Sequence, residues 1–224
     1  LYQLLEERTG KGLPWGTLTG IRPTKIAMTK MEEGWNEGQI RDYMRNTYFT
    51  SEEKIALSME IADRERQLLS SISYEDGYSL YVGIPFCPTT CLYCSFTSYP
   101  IGKWEKRMEE YLEALGKELE YTAKRMKGKV LDTVYFGGGT PTSLSAGHLD
   151  RILEKVEACF DLSRIQEFTV EAGRPDSITR EKLEVMRRFP VTRISVNPQT
   201  MQQKTLDLVG RKHTVQDVKD IFHA

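Results

Sequence analysis

The chain has 224 residues, of which 28% are charged and 39% hydrophobic, and its formal net charge is −1 at pH 7. This length allows one large domain or two small ones with a substantial core. The near-neutral charge argues against nucleic acid or an anionic membrane as a partner, and no apolar run approaches the length of a membrane span. The cysteine usage suits a reducing compartment, so we expect a cytoplasmic protein.

The first third of the chain, residues 1–75, is predicted to be a helical region. Gly34 is expected to end one helix, and the next helix places three apolar residues on one face, namely Ile40, Tyr43 and Met44. Thr50 and Glu53 have the spacing of a capping box, which predicts a further helix running to about Leu69. The Ser-rich and Gly-containing stretch that follows predicts a domain boundary near residue 75.

Strand and helix patterns alternate from Tyr78 to the end of the chain. Strands are predicted at 79–84, 130–136, 167–171 and 191–196. Helices are predicted at 104–126, from Ser145, at 180–188, from a capping box of Thr200 and Gln203 to Gly210, and after Thr214. Four successive β-then-α units imply parallel strands with right-handed crossovers. We therefore predict an α/β fold for residues 76–224, a partial (β/α) barrel with reactive residues at the carboxyl ends of its strands.

Three cysteines lie in the loop that directly follows the first of these strands. Cys87, Cys91 and Cys94 have the spacing C-x-x-x-C-x-x-C. Three thiolates from one short loop can bind three irons of a cubic 4Fe–4S cluster, which leaves the fourth iron without a protein ligand. An open iron is typical of a reactive site, whereas a structural metal site closes its coordination shell.

Two other roles remain open for these cysteines. A structural zinc site usually combines Cys pairs, or Cys with His, at short spacing, but the nearest histidine, His148, lies more than fifty residues downstream. Disulfide pairing is disfavoured because three cysteines are crowded together and Cys159 stands apart. Cys159 lies near the apolar face of its helix, so we interpret it as a core residue and not as a fourth ligand.

Candidate binding residues follow the later strands. The Gly-Gly-Gly-Thr-Pro-Thr run at 137–142 ends the second strand, where missing side chains let a ligand approach the backbone. This run is not a P-loop, because no Gly-Lys-Ser/Thr follows it. Glu171 ends the third strand, Gln199 follows the fourth, and Arg211 lies past the next helix. A solvated loop carboxylate, capping and surface charge are the alternative roles for these three residues.

The cysteine spacing resembles that of the radical S-adenosylmethionine (SAM) enzymes. Together with the other motifs, residues 78–213 resemble the oxygen-independent coproporphyrinogen III oxidase family of these enzymes, and most of all its HemZ-type members. The resemblance rests on Tyr-Val-Gly-Ile-Pro-Phe-Cys at 81–87, the run at 137–142, Glu-Ala-Gly-Arg-Pro-Asp at 171–176, Arg-Ile-Ser-Val-Asn-Pro-Gln at 193–199, and the upstream Leu-Thr-Gly-Ile-Arg-Pro-Thr-Lys at 18–25.

The resemblance implies a set of cofactor ligands. Three residues would ligate the 4Fe–4S cluster, namely Cys87, Cys91 and Cys94. Six would contact the SAM that chelates the open iron, namely Tyr81, Tyr93, Gly138, Glu171, Gln199 and Arg211. Gly139 and Thr140 match positions that touch a second SAM in the family. Because radical SAM domains are typically six-unit barrels, a chain that begins with Leu1 and stops at Ala224 within a helical pattern is expected to be a fragment.

The resemblance also implies a reaction in anaerobic haem biosynthesis. The cluster passes an electron to SAM, and the resulting deoxyadenosyl radical starts the oxidative decarboxylation of two propionates of coproporphyrinogen III, which gives protoporphyrinogen IX. An electron donor such as flavodoxin or ferredoxin is implied. Arg174 is a candidate partner for the propionates.

One residue departs from the pattern of the dehydrogenases. Phe96 stands where they carry a fourth cysteine, and the HemW-like haem-chaperone branch shows phenylalanine there as well. The alternative is therefore a haem-binding chaperone that keeps the cluster but lacks dehydrogenase activity. In that case His148 or His213 is a candidate axial ligand, although a surface position is expected for both.

Overall fold

The computed structural model describes residues 1–19, 22–73 and 75–224. Gly20 and Ile21, which belong to the family-like segment at 18–25, lie outside the described residues, as does Tyr74 near the predicted boundary. The described chain divides into two compact units, Leu1–Ile72 and Ser73–Ala224. Among these residues, no helix is long and apolar enough to cross a membrane.

The first unit consists of helices α1 (Tyr2–Thr9), α2 (Thr24–Glu32), α3 (Glu37–Tyr48) and α4 (Glu52–Leu69). Among the described residues of this unit, five buried apolar side chains form a small core, namely Ala27, Ile40, Met44, Ile55 and Ala62. Three of the helices supply this core, because each is apolar on one face only and must bury that face against a neighbour.

The capping box predicted at Thr50 and Glu53 is wrong by one residue. Ser51 is the N-cap of α4, and its hydroxyl accepts a hydrogen bond from the backbone N–H of Lys54. The chain leaves α3 through Phe49 in a left-handed conformation with φ of 57°, and Thr50 is then buried. The turn between the two helices therefore decides which hydroxyl reaches the exposed N–H groups of α4.

The second unit contains a four-stranded parallel sheet, as predicted. Its strands are β1 (Gly77–Ile84), β4 (Val130–Gly138), β5 (Glu167–Glu171) and β6 (Arg193–Ser195), and they are adjacent in that order. A separate parallel pair, β2 (Phe86–Cys87) and β3 (Tyr99–Pro100), follows β1. The helices are α5 (Met108–Arg125), α6 (Ala146–Cys159), α7 (Arg180–Arg187), α8 (Gln203–Leu208) and α9 (Val215–His223). The predicted α/β fold is confirmed.

The two faces of this sheet differ in character. One face and the helices form the main core, which includes Val82, Ile84, Val134, Phe136, Phe168, Val170, Leu112, Leu119, Leu149, Leu153 and Val156. Because side chains alternate along a strand, the residues between these apolar positions lie on the opposite face. Register pairs Tyr81 with Tyr135 and Tyr135 with Thr169, so polar side chains from neighbouring strands are adjacent there.

Two helix starts differ from the prediction. Residues 101–107 form short 3-10 turns, and α5 begins only at Met108 and not at Trp104. The capping box predicted at Thr200 and Gln203 is also wrong, because α8 begins at Gln203 and the Thr200 hydroxyl accepts from the backbone N–H of Gln202. In both places a local turn takes up the residues that the periodic pattern had assigned to a helix.

Candidate functional site

A pocket lies at the carboxyl ends of the parallel strands. Its cavity has a volume of about 520 Å³, within the range that small-molecule ligands occupy. All eleven residues that the sequence nominated for cofactor binding line it, namely Tyr81, Cys87, Cys91, Tyr93, Cys94, Gly138, Gly139, Thr140, Glu171, Gln199 and Arg211. The topology explains this convergence, since parallel strands end at one edge of a sheet.

The cysteine loop is held at its first cysteine and again between its second and third cysteines. Cys87 is buried in β2, which pairs with β3, and its sulfur lies 3.3 Å from the Thr140 hydroxyl. Cys91 and Cys94 are half-buried, and the N–H of Cys94 donates to the carbonyl of Cys91. The N–H of Leu92 donates to the carbonyl of Val209 at the end of α8. All three thiols are free.

The described residues contain no group of three or more His, Cys, Asp or Glu side chains close enough to hold one metal ion. A four-iron cluster is a different target, because each thiolate binds its own iron and the ligands stand farther apart than around a single ion. The three free thiols line one pocket, and three is the number of protein ligands that leaves one iron of such a cluster open.

The glycine run has a packing role that its sequence did not reveal. Gly138 has a φ of 109°, and a Cβ there would lie 2.9 Å from the backbone of Ile84. A Cβ on Gly139 would lie 2.6 Å from the carbonyl oxygen of Phe86. The N–H of Gly139 donates to Ile84 and that of Thr140 to Phe86. These glycines therefore let the chain leading to the cysteine loop cross the end of β4 at close range.

Glu171 is positioned by a tyrosine that the sequence reading missed. The Tyr135 hydroxyl donates to the Glu171 carboxylate at 2.5 Å, and the Tyr135 ring stacks on that of Tyr81 with centroids 5.8 Å apart. The hydrogen bond to Glu171, aided by burial, raises the pKa of Tyr135 to about 12. The alternation of Tyr135 with the core residues of β4 could have been seen in the sequence, whereas its register with Tyr81 comes from the pairing of β1 with β4.

Arg211 and Gln199 lie on the other side of the pocket. Arg211 is buried, and its Nη1 donates to the carbonyls of Gly173 and Asn197, whereas its Nε has no partner among the described residues. Gln199 adopts a left-handed φ of 65°, and its N–H donates to the Asn197 side chain. Burial raises the pKa of Tyr93, and the charge of nearby Arg211 opposes that rise. The pocket thus holds a fixed cation near the cysteine loop.

The structure does not support Arg174 as a partner for a propionate, or His148 or His213 as an axial ligand of haem in this pocket. Arg174 is only 2% exposed, and both oxygens of Asp176 accept hydrogen bonds from it, so it cannot pair with an external propionate. His213 is buried and not at the surface, and burial lowers its pKa. His148 is half-buried beside Glu109, with 3.1 Å between its Nε2 and the carboxylate. Neither histidine lines the pocket.

Comparison with known proteins places this geometry in a family. The model of the radical SAM superfamily matches residues 81–224. The chain is 41% identical over 224 residues to the oxygen-independent coproporphyrinogen-III oxidase-like protein HemZ of Bacillus subtilis, covering 98% of this chain and 45% of that protein. It is 38% identical over 145 residues to the heme chaperone HemW of Bacillus subtilis, covering 64% and 38%. The chain thus spans less than half the length of these relatives.

A solved structure shares the fold. The coproporphyrinogen III oxidase HemN from Escherichia coli, described as a radical SAM enzyme, matches with a TM-score of 0.58 and 24% identity, over 70% of this chain and 36% of that one. At this identity the likeness concerns the fold alone. The family match covers the whole strand-and-helix unit from Tyr81 onward, including the cysteine loop and the glycine run. The chain belongs to the radical SAM superfamily, whose members use a 4Fe–4S cluster and SAM.

Proposed function

We propose that this chain forms the cofactor-binding part of a radical SAM enzyme that decarboxylates coproporphyrinogen III oxidatively to protoporphyrinogen IX. The observation that carries the proposal is the convergence of three free thiols and the strand-end residues on one pocket. The 41% identity to a HemZ protein over nearly the whole chain supports the haem-related chemistry. The partners of the proposal are a tetrapyrrole and an electron donor such as flavodoxin or ferredoxin.

The donor set in the pocket fits the implied cofactors. Cys87, Cys91 and Cys94 supply three thiolates, the number that leaves one iron open. Glu171 offers a carboxylate to an ammonium group, and Arg211 offers a guanidinium to a carboxylate. An amino acid moiety carries both of these groups. A cofactor with a methionine end is therefore complementary in charge to this pocket.

When bound, the cluster and SAM supply one-electron chemistry that side chains cannot perform. The chain's own part is to bind and orient them. The Tyr135 hydroxyl holds one oxygen of the Glu171 carboxylate, and the carbonyls of Gly173 and Asn197 fix the Arg211 guanidinium. Because hydrogen bonds within the protein fix these groups, little reorganisation is needed on binding.

The rim of the pocket suits a planar macrocycle. Tyr81, Tyr93 and Phe96 line it and leave 61%, 52% and 78% of their surfaces exposed. Aromatic faces that are open to the pocket can cover an extended ring system through apolar contact. Gly139 and Thr140 lie in the same pocket, so a second SAM is a separable part of the proposal and is tested by the stoichiometry of SAM binding.

The second candidate is a haem chaperone that keeps the cluster and oxidises no porphyrinogen. Phe96 favours it, because this exposed ring occupies the pocket position where a fourth cysteine is expected in the dehydrogenases. The 38% identity to a heme chaperone over 145 residues points the same way. This candidate predicts stoichiometric haem binding and no vinyl product.

The deciding experiment uses the full-length protein reconstituted with iron and sulfide in the absence of oxygen. It receives dithionite, SAM and coproporphyrinogen III, and mass spectrometry follows 5′-deoxyadenosine and the tetrapyrrole. Deoxyadenosine together with the loss of two carboxyl groups is the expected result. Deoxyadenosine with an unchanged tetrapyrrole would favour the chaperone. A Cys87→Ala variant that still assembled a complete cluster would contradict the ligand assignment, whereas Cys159→Ala is the matched control that should keep it.

A further inference from the structure

Arg174 is a charged side chain buried at the edge of the pocket, beyond the end of β5. It is 2% exposed, and a charge buried to this extent is strongly unfavourable unless it is paired. Asp176 compensates this cost, since its two oxygens accept from Nε at 3.0 Å and from Nη2 at 2.8 Å. The fork of the guanidinium is thereby fixed in one orientation.

The remaining nitrogen of Arg174 is directed at the cysteine loop. Nη1 lies 3.1 Å from the carbonyl oxygen of Thr89, 2.9 Å from its hydroxyl and 3.8 Å from the sulfur of Cys91. Thr89 lies midway between the first two cysteines of the loop. The Asp176-bound guanidinium therefore holds the loop through Thr89 and brings a cationic N–H donor to a cysteine sulfur.

We propose that Arg174 is a positioning residue whose cation and N–H donor raise the reduction potential of the cluster bound through Cys91. This inference rests on the proposed function for the identity of the cluster. Reduction adds one negative charge to the cluster and its thiolates, so a nearby cation and hydrogen bonds to sulfur stabilise the reduced form. The orientation of Arg174 makes this contribution depend on Asp176, which both holds the guanidinium and partly neutralises it.

The test is a redox titration of the cluster in the full-length protein after anaerobic reconstitution. Electron paramagnetic resonance monitors the reduced cluster at each potential. Arg174→Met removes the charge and all five donors. We expect about a tenfold loss in the reduction equilibrium, a negative shift of about 59 mV for a one-electron couple. Arg180→Met is the matched control, because the Arg180 side chain is 89% exposed and pairs with Glu184 on α7, so no shift is expected.

Asp176→Asn provides a second test, in which the midpoint potential is expected to shift in the opposite direction. It removes the counter-charge while Arg174 and one acceptor remain, so the midpoint potential should rise. If Arg174→Met fails to assemble a cluster, the shift in midpoint potential of Asp176→Asn is the sole test of the inference. A loop that is merely held in place by Arg174 predicts lower iron content but an unchanged potential in the clusters that do form.

Several outcomes would overturn the inference. An Arg174→Met potential equal to that of the wild type at full iron content would do so, as would a fall in potential in Asp176→Asn. Wild-type protein that binds no 4Fe–4S cluster would overturn both this inference and the proposed function. Shifts of the expected signs in a protein that leaves coproporphyrinogen III unchanged would support the role of Arg174 and reject only the proposed substrate.

Discussion

Tyr135 is the residue on which the orientation of Glu171 depends. Its hydroxyl donates to the carboxylate at 2.5 Å, and its ring is stacked on Tyr81. A hydrogen bond to a charged group contributes about 1.5–3 kcal/mol. The Tyr135→Phe variant keeps the stacking and loses only the donor.

We expect Tyr135→Phe to weaken SAM binding by about tenfold or more, because the carboxylate is no longer held and roughly 1.4 kcal/mol corresponds to a factor of ten. Isothermal titration of the anaerobic, cluster-containing protein with SAM measures the dissociation constant. Tyr121→Phe, on the exposed side of α5, is the control and should bind like the wild type. Equal affinity in Tyr135→Phe would contradict the proposal that this hydroxyl positions Glu171 for SAM.

The Tyr111 hydroxyl makes the free energy of unfolding depend on pH in the alkaline range. Its hydroxyl donates to the carbonyl of Gly83 at 3.0 Å, and burial raises its pKa to about 12. The pKa in the unfolded chain is about 10. A folded-state pKa above the unfolded one means that the contribution to stability is complete below about pH 10 and is lost as the pH rises towards 12.

We therefore expect Tyr111→Phe to be less stable than the wild type by about 1 kcal/mol at pH 8, with a difference that vanishes between pH 10 and 12. Urea unfolding at several pH values measures the difference in the free energy of unfolding. A difference that stayed constant up to pH 12 would show that the Tyr111 hydroxyl titrates as it does in the unfolded chain.

At the scale of elements, the crossing of the β1–β2 segment over the end of β4 depends on Gly138. A Cβ there meets the Ile84 backbone at 2.9 Å, and the φ of 109° is strained for any other residue. We expect Gly138→Ala to lower the free energy of unfolding by about 2 kcal/mol or more, since backbone strain alone costs 1–3 kcal/mol.

Gly147→Ala is the matched control on helix α6. A Cβ there meets nothing within 4 Å, and alanine favours a helix over glycine. This variant should be more stable than the wild type by about 0.5 kcal/mol. The same Gly→Ala change is therefore expected to raise the free energy of unfolding at Gly147 and to lower it at Gly138. Urea unfolding measures the free energy of unfolding of both variants. A Gly138→Ala variant as stable as the wild type would contradict the close approach of the Ile84 backbone to this position.

At the scale of the whole molecule, the chain contains two compact units, each with its own core. We propose that the segments before and after the sequence-based boundary near residue 75 unfold independently of each other. Met44→Ala removes a fully buried side chain from the first core, and Phe136→Ala does the same in the second. Such truncations cost about 2–5 kcal/mol.

Hydrogen exchange followed by mass spectrometry tests this boundary. Met44→Ala should lower the protection of α2, α3 and α4 and leave β4 and β5 unchanged, and Phe136→Ala should do the reverse. Loss of protection throughout the chain in either variant would show that the two units unfold together.

Local sequence was sufficient wherever short-range physics determines the structure. The spacing of Cys87, Cys91 and Cys94 places three thiols on one loop without any long-range information. The alternating strand and helix patterns located the four strands of the main sheet, and β5 was predicted at its observed bounds. The successive strand and helix patterns then restricted the topology to a parallel sheet, and the pocket at its carboxyl end follows from that topology.

Contacts between residues far apart in sequence were decided only by the tertiary structure. Arg174 was a candidate partner for the propionates, but its Nη1 donates to the carbonyl and hydroxyl of Thr89, 85 residues earlier in the chain. His213 was expected at the surface and is buried. The need for Gly138 comes from Ile84, more than fifty residues earlier. The physical reason is common to these cases: composition and periodicity describe how a residue suits its own element, whereas burial and hydrogen bonding depend on which other elements the fold brings against it.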